Sequence, residues 1–471
     1  MSFRFPRSTP SEQQVDAGRV QAFLDAVEAA DIELHSLMLV RRGSVVAEGW
    51  WAPYSADRVH LLYSLSKSFA STAAGLAAAE GLLDLDDPLV SHFPEFDAEI
   101  TDPGSRAIRL RHVAAMASGH RQEMIEQALR VDPDEPVRGF LLSPPEAEPG
   151  SVFAYNQPCT YSLAAVVQRR TGMRLTEYLR PRLFEPLGIG EVGWLRDGTG
   201  RELGFSGLHA RTEDIAKLGQ LYLQGGVWQG AQLLPAEWVQ AATRSQVANP
   251  DEPNPDWRQG YGFQFWMSRH GYRGDGAYGQ FCLVLPEQEA VVAITAATGD
   301  MQGLLDAAWA ELLPAFRTTD DRPDPAADEQ LGERLRSLSL PRPAAAPAPG
   351  AGREEWTGRS FVVGEPGPVE AVRIVGVEAG WQLELATPTG ALTVPIGADG
   401  WTTAEQPVPL ACAGGWPADD LFRADVIMLE TPHRLTITCR LADGSAEVGW
   451  REHPLHGLPL TDMHSGLFSG S

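Results

Sequence analysis

The sequence has few cysteines, a deficit of basic residues and no long apolar run. Its 471 residues include four scattered cysteines, which match neither metal-ligand spacing nor the density of a disulfide scaffold. Lysine and arginine total 38 against 62 aspartates and glutamates, for a formal net charge of −24. A surface of this charge repels phosphate backbones and anionic lipid headgroups, so we expect neither a nucleic-acid nor a membrane partner.

No stretch is apolar for long enough to cross a bilayer, and the first residues lack the apolar run of a signal peptide. Together with the scattered cysteines, this predicts a cytoplasmic protein with reduced thiols. Cys439 lies on the apolar side of an alternating run, so we expect a small core residue there. The composition, 43% hydrophobic and 21% charged, is that of a globular protein with a sizeable core.

The hydrophobic pattern predicts a first domain of the α+β class. A helix is predicted over residues 15–30 with Asp16 as its N-cap, followed by a hairpin within 36–50. Residues 64–243 are mainly helical in pattern, including a helix over 66–80, and strands return within 261–296. Strands at both ends of a helical middle imply one antiparallel sheet that is completed late, with flanking helices and a helical lobe.

A proline-rich stretch separates this domain from a second one. Residues 319–353 contain acidic residues, a helix candidate over 329–338 and the run PRPAAAPAP, which together indicate a semi-rigid connector. Beyond it, alternating segments and turns such as Asp443-Gly444 predict a smaller antiparallel β domain. We therefore predict a first domain over 1–318, a connector over 319–353 and an accessory β domain over 354–471. The accessory domain could cover a cleft, restrict substrate size or mediate assembly into a homo-oligomer.

A Ser-x-x-Lys pattern stands at the start of the helix predicted over 66–80. Ser64 and Lys67 are three residues apart, so on a helix the amine can reach the hydroxyl. A serine hydroxyl becomes nucleophilic when a neighbouring base takes its proton, and a desolvated lysine can do so. Backbone N–H groups at a helix start also stabilise a developing oxyanion. The pattern alone, however, also occurs by chance, with an ordinary surface lysine on a helix.

Further segments follow Ser64-Leu65-Ser66-Lys67 in a characteristic order. They are LLDLDDP at 82–88, IRLRHV and ASGH within 108–120, and RTEDIAKLG at 211–219. Over about residues 37–316 the chain resembles the family of class C β-lactamases, penicillin-binding D-alanyl-D-alanine carboxypeptidases and related family VIII esterases. The resemblance implies a β-lactamase/transpeptidase-like fold and a serine hydrolase that works through an acyl-enzyme, with no metal or organic cofactor.

The second motif of this family, Tyr-x-Asn, resembles the stretch around Tyr155. The resemblance implies that Tyr155 shuttles a proton between Ser64 and the leaving group. Because an unperturbed tyrosine has a pKa near ~10, its phenolate needs a nearby cation, and Lys67 is the candidate. Gln157 stands at the Asn position and Asn156 precedes it, so an amide for substrate contact is kept while its reach differs.

The third motif, Lys-Thr-Gly or His-x-Gly on an edge strand, resembles the stretch over 272–280. Gly274 stands at the cationic position, and strand alternation predicts that Arg273 points to the other face. Losing the cation removes a charge that could hold a β-lactam carboxylate. We also expect Trp257 and Trp266 to be core residues that could line a pocket near this motif.

The same stretch supplies the remaining candidates for the site. The resemblance implies that the backbone N–H groups of Ser64 and Ala277 form the oxyanion hole. Asp275 and Gly276 are candidates for substrate contact, since a glycine lets the strand approach a substrate closely. An ordinary hairpin turn is the alternative interpretation of the Gly-Asp-Gly run.

We predict a serine hydrolase that cleaves ester or amide bonds of small molecules through an acyl-enzyme on Ser64. A β-lactamase or D-amino-acid peptidase is a second interpretation, which the loss of the cation at Gly274 disfavours. A catalytically inactive binding protein on the same fold is an alternative of another class. The altered third motif favours this alternative, whereas the intact Ser64, Lys67 and Tyr155 oppose it.

Overall fold

The computed structural model describes residues 3–316, 324–343, 353–378, 380–397 and 399–466. Their α-helices are α1 (Ala17–Ala29), α2 (Ser66–Ala79), α3 (Pro103–Ala107), α4 (Leu110–Ala114), α5 (Ile125–Val131), α6 (Pro136–Leu141), α7 (Gln157–Thr171), α8 (Leu175–Leu179), α9 (Glu185–Leu187), α10 (Thr212–Leu223), α11 (Ala236–Ala242), α12 (Met301–Ala307), α13 (Pro325–Arg336) and α14 (Arg353–Trp356). In this part of the chain, no helix combines the length and apolar character needed to cross a membrane.

The strands of the first domain are β1 (Glu33–Arg41), β2 (Ser44–Trp50), β3 (His60–Leu61), β4 (Gly193–Trp194), β5 (Leu208–Ala210), β6 (Val227–Trp228), β7 (Ala231–Gln232), β8 (Trp266–Met267), β9 (Tyr272–Gly276), β10 (Gln280–Leu285) and β11 (Ala290–Ala297). Six of them form an antiparallel sheet in the order β2-β1-β11-β10-β9-β8. The first two strands therefore pair with the last ones, which confirms the predicted α+β fold with a sheet that is completed late.

Strand alternation divides the core of this domain into two layers. In β1, Leu37 and Leu39 pack with helices α1, α12 and α13, whereas Met38 and Val40 face α2 and α10. The predicted N-cap of α1 is present, because the Asp16 carboxylate accepts hydrogen bonds from the backbone N–H groups of the first helical turn. The two layers hold the sheet between helices, so its edge near β9 and α2 is fixed on both faces.

Part of the predicted connector belongs to the core of the first domain. Helix α13, within the predicted 319–353, buries Leu331 and Leu335 against the layer formed with α1 and β2. The ends of the connector, residues 317–323 and 344–352, lie outside the described residues. The domain boundaries at 318, 319, 353 and 354 therefore stay a prediction.

The second domain is a curved sheet of short strands. They are β12 (Arg359–Val363), β13 (Ala371–Val377), β14 (Gly380–Thr387), β15 (Gly390–Ile396), β16 (Thr402–Ala404), β17 (Leu410–Ala418), β18 (Leu421–Met428), β19 (Arg434–Arg440) and β20 (Ser445–Trp450). Their order is β15-β14-β13-β12-β20-β19-β18-β17-β16, antiparallel apart from a parallel pairing of β12 with β20. A bridge between Gly397 and Ala413 brings the two ends together, so the sheet is nearly closed.

The two domains share a buried interface. Ile427 and Leu429 of the second domain belong to the same apolar cluster as β1 and α1. Tyr54 donates a hydrogen bond from its hydroxyl to the Thr431 carbonyl at 2.9 Å. Beyond β20, residues 452–466 lie against the first domain, where the Ser465 carbonyl packs on Gly193 of β4. The second domain therefore reaches the loops that follow β4 and precede α2.

Candidate active site

Ser64 lies in a single 3₁₀ turn, Tyr63–Leu65, which leads directly into α2. Tyr63 has a φ of 48°, a left-handed conformation that is uncommon for an aromatic residue. The backbone turns sharply at Tyr63, and Ser64 is half-buried at the start of the helix. The predicted position of the serine at a helix start is therefore present in the structure.

The Lys67 ammonium is buried beside the serine. Its Nζ lies 2.9 Å from Ser64 Oγ, 2.7 Å from Gln157 Oε1 and 2.8 Å from the Phe205 carbonyl. Its exposed fraction is 1%. Burial lowers the pKa of Lys67 to about 7, and the nearby carboxylates of Asp275 and Glu123 only partly oppose this. A substantial fraction of the amine is therefore neutral near neutral pH, as a base for Ser64 requires.

Tyr155 lies next to both Ser64 and Lys67. Lys67 Nζ is 4.8 Å from the ring centroid, and Trp266 stacks on the ring at 5.3 Å. Burial raises the pKa of Tyr155 above its ordinary value, although a hydrogen bond with Ser64 acts in the opposite direction. The raised pKa favours the protonated hydroxyl of Tyr155 as a hydrogen-bond donor, whereas the resemblance implied a phenolate stabilised by Lys67.

The two amides of the second motif are placed differently. Gln157, the first residue of α7, accepts from Lys67, and its own backbone N–H donates to the Glu123 carboxylate at 3.1 Å. Asn156 is fully buried, and its Oδ1 accepts from the Met124 backbone N–H at 3.0 Å. Of these two predicted substrate contacts, only Gln157 is beside the reacting groups, whereas Asn156 holds the loop before α5.

Strand β9 brings Gly276 against the backbone of Ser64. A Cβ on Gly276 would lie 2.1 Å from the Leu62 carbonyl oxygen and 3.1 Å from the Ser64 nitrogen. Gly274, Asp275 and Gly276 all lie within β9, so the interpretation of this run as a hairpin turn is wrong, and the turn to β10 begins at Ala277. The close approach that a glycine permits nevertheless places this turn beside the serine.

The predicted cationic position has no room for a long side chain. A Cβ on Gly274 would lie 2.4 Å from Leu65 Cδ1 and 2.6 Å from Ser68 Oγ, so a side chain there would run into the start of α2. Arg273, on the opposite face, is fully buried and donates from Nε to Asp275 Oδ2 at 3.0 Å. Asp275 is thus held in an ion pair, and burial raises the pKa of its carboxyl while Arg273 opposes this.

The two tryptophans of the predicted pocket lie at this edge. The Arg273 guanidinium carbon is 4.4 Å from the Trp257 ring centroid. Trp266 stacks on Tyr155 and is also in contact with Tyr261, at 4.8 Å between centroids. Trp257 and Trp266 therefore line the side of the site that contains Tyr155 and the Arg273–Asp275 pair.

Residues of the second domain that the sequence analysis missed also reach the site. His433 Nε2 lies 2.5 Å from the Tyr63 hydroxyl, and His456 Nε2 lies 2.8 Å from Ser206 Oγ. The His456 ring stacks on Tyr63 at 5.5 Å. The sequence signal for His456 is the histidine-rich run His453-Pro454-Leu455-His456 after the last strand, and neither this run nor His433 has a spacing that points to Ser64.

The first domain of this chain is similar to known proteins. The family model described as β-lactamase matches residues 20–315. The 6-aminohexanoate-dimer hydrolase of Paenarthrobacter ureafaciens is 26% identical over 309 residues, which cover 60% of this chain and 78% of that relative. The esterase EstB of Burkholderia gladioli is 27% identical over 214 residues, 40% of this chain and 54% of the esterase. The match therefore spans only about half the length of the esterase.

A solved structure resembles both domains. The crystal structure of SurE covers 90% of this chain and 93% of its own, with a TM-score of 0.50 and 21% sequence identity. At this identity the likeness concerns the fold. It extends well beyond residue 315, where the match to the family model ends.

Proposed function

Because this chain belongs to the β-lactamase family, we propose that Ser64 is the nucleophile of a serine hydrolase that cleaves ester or amide bonds of small molecules. The observation that carries the proposal is the pair of Ser64 Oγ and Lys67 Nζ at 2.9 Å, with the pKa of Lys67 lowered to about 7. A lysine with an ordinary pKa near ~10.4 would be almost fully protonated at neutral pH and could not accept the serine proton.

The reaction follows from these groups. Neutral Lys67 takes the proton of Ser64 while the serine oxygen attacks the carbonyl carbon and forms a tetrahedral intermediate. The backbone N–H groups of Ser64 and Ala277 hold the resulting oxyanion. Tyr155, whose hydroxyl keeps its proton, donates to the leaving alcohol or amine and recovers a proton from Lys67. Water then attacks the acyl-enzyme and releases the acid, with the same groups in reversed roles.

A small ester or amide is the substrate class that the relatives support, since they are an esterase and a 6-aminohexanoate-dimer hydrolase by name. The crowding at Gly274 argues against a lysine-like contact to a β-lactam carboxylate at that position. We therefore rank ester and amide hydrolysis above β-lactam hydrolysis. Assembly into a homo-oligomer through the second domain remains a prediction that light scattering can test.

The test is labelling of the folded protein with a fluorophosphonate, located by mass spectrometry, together with turnover of p-nitrophenyl butyrate. We expect a single adduct on Ser64 and loss of both signals in Ser64→Ala. The matched control is Ser91→Ala, which removes an exposed hydroxyl elsewhere and should keep both signals. No adduct on Ser64 in a folded sample would contradict the proposal, and nitrocefin turnover equal to ester turnover would favour a β-lactamase.

A further inference from the structure

Two tyrosines in left-handed backbone conformations flank the proposed oxyanion hole. Tyr63, with a φ of 48°, precedes Ser64, and Tyr278, with a φ of 66°, follows Ala277. Such conformations are strained for a residue with a side chain, and they persist only where the surroundings hold them. The two rings are in edge-to-face contact, 5.6 Å between centroids. Contacts with the surrounding structure must therefore hold both tyrosines in these conformations.

Both tyrosine hydroxyls are bound by the second domain. Tyr63 Oη lies 2.5 Å from His433 Nε2 and accepts from the Leu455 backbone N–H at 3.3 Å. The Tyr278 hydroxyl donates a short hydrogen bond to the His453 carbonyl. The segment that carries Ser64 and the segment that carries Ala277 are thus each anchored, through one phenol, to residues more than 150 positions later in the chain.

The protonation of His433 fixes the direction of the first bond. His433 Nδ1 lies 2.9 Å from the Glu452 carbonyl, which can only accept, so Nδ1 carries the hydrogen. Burial lowers the pKa of His433 to about 4, so the ring is neutral at neutral pH and its Nε2 is an acceptor. Tyr63 therefore donates to His433 and accepts from Leu455, and both functions of its hydroxyl are satisfied.

A third contact connects the same segment to Lys67. The His456 ring stacks on Tyr63, with 15° between the planes, and its Nε2 bonds to Ser206 Oγ at 2.8 Å. Ser206 directly follows Phe205, whose carbonyl accepts from Lys67 Nζ. We name His433 and residues 452–456 the C-terminal clamp. The clamp therefore contacts the three backbone segments that contain Ser64, Ala277 and the Phe205 carbonyl.

We propose that the C-terminal clamp positions the oxyanion hole and Lys67, so that His433, His456, Tyr63 and Tyr278 are positioning residues of the hydrolase. This rests on the function proposed above. In the clamp, the phenols fix the strained turns on which the N–H groups of Ser64 and Ala277 depend. Positioned donors stabilise charge that develops in the transition state, so the clamp acts on kcat and leaves the binding of the ground state nearly unchanged.

The experiment uses the full chain with Tyr63→Phe and Tyr278→Phe, which keep the rings and remove only the hydroxyls. Loss of one oxyanion donor costs roughly 100- to 1000-fold in kcat, so we expect a partial displacement to lower kcat by about tenfold, with KM within about twofold. An arylboronic acid, which forms a tetrahedral adduct on the serine, should lose affinity by the same factor as kcat/KM. A purely structural role would not couple these two readouts.

The matched control is Tyr54→Phe, which breaks a hydroxyl-to-carbonyl bond between the same two domains, to Thr431, and leaves the hydroxyls of Tyr63 and Tyr278 in place. It should lower stability as the other variants do and keep kcat. If Tyr63→Phe does not fold, Tyr278→Phe, whose ring is half-buried, carries the same test. Wild-type kcat and boronate affinity in the folded Phe variants would overturn the clamp, whereas an inactive wild-type protein would overturn the proposed function instead.

Discussion

The pKa of Lys67 can be moved by a single charge at its hydrogen-bonding partner. Gln157 Oε1 lies 2.7 Å from Lys67 Nζ, and Gln157→Glu replaces this neutral acceptor with a carboxylate of nearly the same shape. An opposite charge at this distance favours the charged form of its partner by roughly 1–3 pKa units. Because the pKa of Lys67 is about 7, a shift of about 2 units would place it near 9.

The consequence is a displaced pH profile rather than a uniform loss of activity. At pH 7 the neutral fraction of Lys67 would fall from about one half to about one hundredth, so kcat/KM should drop by about fiftyfold. Raising the pH to about 9.5 should restore most of it, since only the neutral amine accepts the serine proton. In the wild-type protein the same acidic limb should have its midpoint near pH 7.

The assay is the pH dependence of kcat/KM for p-nitrophenyl butyrate between about pH 5.5 and 10, corrected for spontaneous hydrolysis. The control variant Gln224→Glu adds the same charge at the exposed end of α10 and should keep the wild-type midpoint. An unchanged midpoint in Gln157→Glu, in a folded and active enzyme, would refute the assignment of Lys67 as the titrating base. A loss of activity that high pH does not restore would refute it as well.

Two further outcomes are expected. Gly276→Ala should lower kcat by about 100-fold or more, because its Cβ would lie 2.1 Å from the Leu62 carbonyl oxygen. The control Gly198→Ala, where no atom lies within 4 Å of the added Cβ, should keep the wild-type kcat, and equal kcat in both variants would contradict the close approach of β9 to Ser64. His209 and His433 have pKa values lowered to about 3 and about 4, so the unfolded chain binds more protons below pH ~6.5. The free energy of unfolding in urea should fall by about 3 kcal/mol per histidine between pH 7 and 4, and His209→Asn should reduce this fall; an unchanged fall would contradict it.

Local patterns carried most of the prediction of the first domain. Asp16 and the apolar periodicity after it predicted α1 within two residues at its start, because N-caps and helical faces are set by neighbouring residues. By contrast, the strands predicted to return from residue 261 begin only at Trp266–Met267, since Gly262 lies against the Ala242 carbonyl. The helix α13 was placed a few residues late, and its burial against β2 depends on tertiary contacts.

Part of the candidate site was likewise predictable from local sequence, and part was not. Ser64 and Lys67 are three residues apart, so helix geometry alone brought them together, and the structure has them at 2.9 Å. The raised pKa of Tyr155 was not predictable in this manner, because it depends on the burial of the ring, on which Trp266 stacks. A chemical motif specifies which groups meet, whereas their pKa values follow from the surrounding desolvation.

The strained turns at Tyr63 and Tyr278 indicate where the second domain supports the first. Tyr63 and Tyr278 both occupy backbone conformations that an isolated turn would leave, so some distant group must compensate for each. A sequence pattern cannot name that group, because the bonds join Tyr63 to His433 and Tyr278 to His453 across separate domains. Since the same two tyrosines flank Ser64 and Ala277, we expect the loss of their bonds to the second domain to loosen the proposed oxyanion hole. Docking and catalytic competence should therefore be coupled through Tyr63 and Tyr278, whereas an interdomain bond such as that of Tyr54 to Thr431 should contribute to stability alone.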